Sequence, residues 1–256
     1  MNKPVYCVRS IIKQFYTGVR QWTVKRSKIG FTMNGLATLD HEKVISIHDS
    51  NAVRHAATLL KSDNVIALPT DTVYGLACSA NNPGAIQKLY DIKGRHELKP
   101  VAICVPEVDD LRHWGEASHL PSELLQELLL GAVTIVVRRS KHLNNPYLNP
   151  GTAKIGIRIP DFKFIRDVSR HFPLPIALTS ANKSASKSTL NVNEFKCLWP
   201  SLAAVFDGGQ LGLSEQQRAA STVIDLSDEG SYSIIRFGVA AKHTISTVEK
   251  YGFFAK

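Results

Sequence analysis

A single α/β domain, built on a twisted mixed sheet covered by helices, is the fold class this sequence predicts. From residue 40 onward, short apolar segments alternate with segments of helical periodicity. Turn residues separate them, and no segment repeats another. Strands that alternate with helices in this way bury a sheet between helical layers. The 256 residues, 44% of them apolar, suffice for one substantial core.

Each element has its own signal. NVIALPT (64–70) reads as a buried strand. Asn82 caps a helix with Pro83 at its first position, where the missing N–H does no harm. Ile86, Leu89 and Tyr90 give that helix an apolar face, and Gly94 ends it. VAICV (101–105) is a second buried strand. Pro121 and Glu123 open a helix that runs through Leu130 and stops at Gly131. AVTIVV (132–137) and KIGIRI (154–159) are further strands, followed by a helix over 162–171. PIALTS (175–180), AAVFD (203–207), STVIDL (221–226) and YSIIRF (232–237) complete eight strand candidates. Ile245, Val248 and Tyr251 mark a last short helix, and 183–193, rich in Ser, Lys and Asn, reads as a surface loop.

Charge divides the chain in two. Residues 1–39 hold seven cations and no acid, so they carry +7 of the net +9. Val8, Ile11, Ile12, Phe15, Val19 and Trp22 recur there at helical spacing. A basic, acid-free, amphipathic leader has the composition of a mitochondrial presequence, with a basic arm at a membrane surface or in solution as the alternative. The domain over 40–256 is almost neutral, which argues against a nucleic-acid footprint spread over its surface. No apolar run is long enough to predict a transmembrane segment. Four scattered cysteines and nine histidines form no metal or disulfide pattern, so no structural zinc and a reducing compartment are expected.

Several strand candidates end in hydroxyl, glycine or charged residues, the place where open α/β sheets bind ligands. These ends are LPTDTVYGL (68–76), KGRHELKP (93–100), GIRIP (156–160), LTSANKS (178–184), FDGG (206–209), ASTVID (220–225) and IRFG (235–238). Any one of them alone could be a turn. The sequence lacks a P-loop, a GxGxxG turn, HExxH and GxSxG. Phosphate chemistry here must therefore rest on side chains, with Lys93, Arg95, Arg158 and Arg236 as the cations. Arg158 sits between Ile157 and Ile159, an unusual place for a solvated charge, and strand alternation turns it away from both.

The ordered series of motifs resembles the YrdC-like family of threonylcarbamoyl-AMP synthases over residues 50–238, and within it the single-domain animal members. The family pattern of KxR and a distant SxN falls on Lys93, Arg95, Ser180 and Asn182. The resemblance implies a YrdC-like fold and a two-step reaction. The amine of L-threonine captures carbon dioxide or bicarbonate. The resulting carbamate attacks the α-phosphate of ATP and expels pyrophosphate. The product would pass to a tRNA threonylcarbamoyl-transferase, for N6-threonylcarbamoyladenosine next to the anticodon. By the same resemblance, Lys93 and Arg95 are the catalytic pair. Lys93, Arg95, Ser180, Asn182, Ser221 and Arg236 bind ATP. Thr72, Thr134, Arg158 and Thr179 serve threonine. Magnesium arrives with ATP, and cytoplasm and mitochondrion are the expected compartments.

Three departures stand out. Leu130-Gly131-Ala132-Val133-Thr134 replaces a PGP-x-T segment, and Lys99 and Cys104 replace an asparagine and a histidine common in microbial members. An RNA-binding module with a weak RNA contact is the competing reading. It would need aromatic residues among the cations, and the motifs supply only Tyr74, Phe206 and Phe237. A carbamoyl-transfer or ATP-sensing domain of the same fold is a third.

Overall fold

Strand alternation dictates where the site can lie. The computed structural model describes residues 43–94, 100–184 and 186–256. The basic leader, Arg95 and Lys99 lie outside them. The chain opens with β1 (Val44–Ser46), α1 (Ala52–Lys61), β2 (Ile66–Leu68), β3 (Gly75–Ser79), α2 (Pro83–Lys93) and β4 (Ala102–Cys104). It continues through α3 (Val108–Trp114), β5 (Gly115–Glu116), α4 (Ser122–Leu128), β6 (Val133–Arg139) and β7 (Lys154–Arg158). Then come α5 (Lys163–His171), β8 (Ile176–Ser180), β9 (Val205–Asp207), β10 (Thr222–Asp225), β11 (Ser231–Arg236), α6 (Ala241–Lys250) and β12 (Phe254–Ala255). Two 3-10 segments, Val192–Ser201 and Glu215–Ala219, flank β9.

The strands form one sheet in the order β1-β9-β2-β3-β8-β4-β7-β6-β10-β11-β12, with β5 paired to β6. Parallel pairs such as β4 with β7 and β6 with β10 mix with antiparallel ones such as β3 with β8 and β7 with β6. Along each strand the side chains alternate between two cores. Ala67, Leu76, Ile103, Ile135, Ile157, Ala177, Val205 and Ile224 enter the larger core, beside residues of α2, α3, α4 and α6. Ile66, Leu68, Ala77, Cys104, Ile176, Leu178 and Phe206 point the other way, onto Ala56, Leu60, Ile165 and Val168 of α1 and α5. Those two helices pack together over the β2-β3-β8 region. Among the described residues they leave the same face of β7, β6 and β10 without a helical cover, since no residue of those strands joins their core.

All eight strand candidates and all four helix candidates are present. The Asn82 side chain accepts a hydrogen bond from the Ala85 N–H, and Gly94 ends α2 in the left-handed region at φ 62°. α4 stops at Leu128 rather than Leu130, because Leu130 and Gly131 have φ of 75° and 152°. Proline is barred from that value at Leu130, so the loss of the family's first proline accompanies a different backbone. β1, β3, β5, β12, α1 and α3 were not expected. β3 (GLACS) lacks the β-branched and aromatic residues that signal a strand. Its small residues are needed because a Cβ at Gly75 would come 2.6 Å from Leu178 Cδ1. In the expected loop 183–193, Lys183, Ser184, Ser186 and Lys187 are exposed. Thr189 and Leu190 are buried, and Val192 starts a 3-10 segment.

Gly238 closes β11 against the start of β10. A Cβ there would lie 2.3 Å from the backbone of Ser221 and Thr222. Gly238→Ala should therefore cost about 2 kcal/mol or more, because backbone has to move. Thermal unfolding should show a fall of roughly 4 °C or more. An unchanged midpoint would mean that this contact is slack.

Candidate active site

The uncovered half of the sheet face is a trough of about 500 Å³. Its floor consists of the residues that alternate with the core. Ala102 alternates with Ile103, Thr134 and Val136 flank Ile135, Gly156 and Arg158 flank Ile157, and Val223 precedes Ile224. Small floor residues make the depth: a Cβ on Gly156 would meet Thr134 Cγ2 at 3.0 Å. Thr179 and Ser180 stand at one end, Ser221 and Arg236 at the other. Four strand spacings separate β8 from β10, roughly 19 Å.

Arg158 is held in the middle. It is 6% exposed, and its guanidinium makes a 2.6 Å ion pair with Asp71 Oδ1. It also donates to Gly131 O at 3.3 Å and Thr72 Oγ1 at 3.4 Å. Within this pair, Arg158 Nε and Asp71 Oδ2 are buried and find no partner among the described residues. The expectation that Arg158 faces the cavity while Ile157 and Ile159 enter the core is met. Thr72 is buried behind the wall, 3.1 Å from Thr70 Oγ1, so Thr70 rather than Thr72 lines the trough. Thr70 accepts from the N–H groups of Thr72 and Val73 and donates to Val73 O, which fixes the turn bearing Asp71.

At the β8 end, Lys93 is 2% exposed and does not line the trough. Its ammonium donates to Ser180 O at 2.7 Å and Asn182 Oδ1 at 3.0 Å. Ser180 Oγ also donates to Asn182 Oδ1, at 2.5 Å, and the Asn182 amide donates to Ser186 O. The two halves of the KxR–SxN pattern, 87 residues apart, thus meet. α2 ends against the loop after β8, which buries its last side chain, Lys93. Arg95 belongs to this group by sequence and lies outside the described residues.

At the β10 end, Thr134 Oγ1 and Ser221 Oγ are 2.9 Å apart. Arg236 donates from Nε to Ser221 O at 3.0 Å and from Nη2 to Ser221 Oγ at 2.9 Å. The residue as a whole is exposed, with its guanidinium turned in. Desolvation there, and then the charge of Arg158, lower its pKa from the ordinary value, although arginine remains a cation at neutral pH. Thr134, Ser180, Ser221, Thr179, Arg158 and Arg236 therefore line one cavity. Cys104 is not among them. It is buried 3.5 Å from Ser169 Oγ, and burial pushes its thiol up to about 11. Asp71, Thr70 and Lys154 belong to the site without having been singled out from sequence. Lys154 was readable as a charge two positions before Gly156, on the same strand face.

Residues 58–238 match the family model named Sua5_yciO_yrdC and described as "Telomere recombination". The chain belongs to the Sua5/YciO/YrdC family. The human protein named threonylcarbamoyl-AMP synthase is 47% identical over 206 residues, which are 79% of this chain and 73% of that one. The Bacillus subtilis protein of the same name is 30% identical over 198 residues, 77% of this chain and 56% of that one. Among solved structures, Pyrococcus abyssi Sua5 complexed with L-threonine superposes with a TM-score of 0.72 at 23% identity, over 83% of this chain and 62% of that one. E. coli YciO gives 0.67 at 22% identity, over 77% and 94%. At these identities the structures speak for the fold. The expected family and fold are borne out, and the relatives' names favour the synthase over the RNA-binding module.

The Sua5/YciO/YrdC motifs here hold one another as much as they face the cavity. Asp71→Asn should leave Arg158 as an uncompensated buried charge and cost roughly 3–5 kcal/mol. Lys93→Ala should also destabilise, by about 1–3 kcal/mol, since Ser180 O and Asn182 Oδ1 lose a charged donor. Urea unfolding measures both. Wild-type stability in the two variants would contradict this wiring.

Proposed function

We propose that this chain makes threonylcarbamoyl-AMP from L-threonine, bicarbonate and ATP, with release of pyrophosphate, as the activated group for tRNA modification. The observation that carries the reading is the 47% identity to the human synthase along 79% of the chain. The trough supports it through its shape and chemistry. It is long enough for an extended nucleoside triphosphate and is lined by cations and hydroxyls. Among the described residues no carboxylate lines it.

The chemistry asks for two anions held side by side. The threonine amine adds to carbon dioxide with loss of a proton, or to bicarbonate with loss of water, and becomes a carbamate. A carbamate oxygen then forms a bond to the α-phosphorus, and the bond to the β-phosphate oxygen breaks with its electron pair on pyrophosphate. No side-chain nucleophile is needed. Preorganised charge and positioning supply the rate. Arg158, fixed by Asp71, is placed for the threonine carboxylate, with Thr134 and Thr179 beside it. Arg236 and Ser221 hold the nucleoside end. Ser180 and Asn182, braced by Lys93, hold the phosphates, a role the family resemblance extends to Arg95. Among the described residues no cluster of three or more metal-binding side chains exists. Magnesium would enter as the counterion of ATP, coordinated by phosphates and water.

Pyrophosphate release should require threonine and bicarbonate together, with mass spectrometry identifying the mixed anhydride. Equal release without threonine would exclude the reaction.

The two compartments follow from the leader. Met1 and Met33 are the chain's two methionines. Initiation at Met33 would discard all seven leader cations and keep every motif from Pro69 onward. Met33→Leu in a C-terminally tagged protein should then deplete the cytosolic pool and spare the mitochondrial one. An undiminished cytosolic pool would rule out Met33 as its start.

A further inference from the structure

The apolar end of the trough is closed by a charge pair that the proposed reaction leaves unused. Lys154 begins β7 and Asp225 ends β10, with β6 between them. Both lie on the trough face, because Ile155 and Ile224 alternate with them into the larger core. Asp225 is level with Val136, which is level with Gly156. The Lys154 side chain thus crosses β6 beside Val136 to reach Asp225 Oδ2 at 2.7 Å. The other carboxylate oxygen accepts from Ser227 N at 2.9 Å and Ser227 Oγ at 2.6 Å. Burial works against the Asp225 anion, yet the bonds from Lys154 and Ser227 hold its pKa below the ordinary value. The carboxylate therefore stays charged and keeps the ammonium in place.

An ion pair that merely stapled strands would not need to face a cavity. Lys154 lines the trough, and its side chain is 40% exposed. Two of its three donors take no partner among the described residues. Val136 and Val223 of the floor, with Ile235, form an apolar surface beside it, with the Arg236 guanidinium at the rim. A ligand group for this place is flat and apolar on its faces, with hydrogen-bond acceptors on its edge. A purine base has that character, and the phosphate-holding groups at the far end of the trough leave the base at this one.

We infer that Lys154, held by Asp225, is a specificity residue that donates a hydrogen bond to a ring nitrogen of the adenine of ATP. The inference rests on the synthase reading for the identity of the nucleotide. It differs from an electrostatic role toward phosphate in what it moves. A contact to the base, remote from the reacting phosphorus, is made equally before and during the reaction. Its loss raises KM and spares kcat.

The test measures ATP affinity by calorimetry, and KM and kcat by pyrophosphate release, for wild type and Lys154→Met. ATP and its 1-deaza, 3-deaza and 7-deaza analogues are the ligands. Lys154→Met should weaken ATP about tenfold or more, as loss of a bond from a charged donor does. One deaza analogue should bind wild type as weakly as ATP binds Lys154→Met, and the variant should be blind to that substitution. Wild-type protein that binds all three analogues as tightly as ATP overturns the inference without reference to any variant. So does wild-type protein that binds no ATP. A Lys154→Met that alters kcat and pyrophosphate inhibition instead would assign the lysine to phosphate. Absence of threonylcarbamoyl-AMP with ATP binding intact would sink the reaction reading and leave this measurement valid.

Discussion

One sheet face covered along only half its width is the constraint on which the rest depends. Every strand that crosses the centre sends alternate residues into the larger core, so the opposite positions must go somewhere. Over β2, β3 and β8 they meet α1 and α5 and become core. Over β7, β6 and β10 they meet no helix among the described residues, and the sequence there turns to Gly156, Thr134, Arg158 and Lys154. The same alternation that builds the hydrophobic interior thus lays out the floor of the trough. Binding residues on strands are positioned more rigidly than residues on loops, which suits a reaction that depends on placing two anions.

Buried charge then sets the floor's rigidity. Arg158 and Asp71 have side chains only 7% and 10% exposed, and neither could be left alone in that setting. Their pairing ties β7 to the turn after β2, and Thr70 fixes that turn from within. Lys93 does the same between α2 and the loop after β8. Each of these groups serves packing and site geometry at once. Loss of stability and loss of activity will therefore travel together when they are changed, and only ligand-side probes separate the two.

Much of this was legible in the sequence, for physical reasons. Apolar runs of strand length marked β2, β4, β6 and β7, and Asn82-Pro83 with Gly94 bounded α2 almost to the residue. Arg158 stood out because a charge between two isoleucines must face away from them. Other features depend on tertiary packing and left little trace. β3 consists of small residues that sheet neighbours demand and local propensity does not. α1 presents Ala52, Ala56 and Ala57 to the core, a weak apolar stripe. The burial of Lys93 and the partnership of Lys154 with Asp225 join positions 87 and 71 residues apart from their partners, which periodicity cannot register.

The account stands or falls on where the substrates lie. A crystal structure of the protein with L-threonine and a non-hydrolysable ATP analogue tests this most directly. Density for both ligands should fill the trough, with the threonine carboxylate on Arg158 and the nucleotide running from Ser180 to Arg236. Ligands bound instead in the shallow pocket bordered by Asp161 and Gln210, with the trough empty, would contradict it.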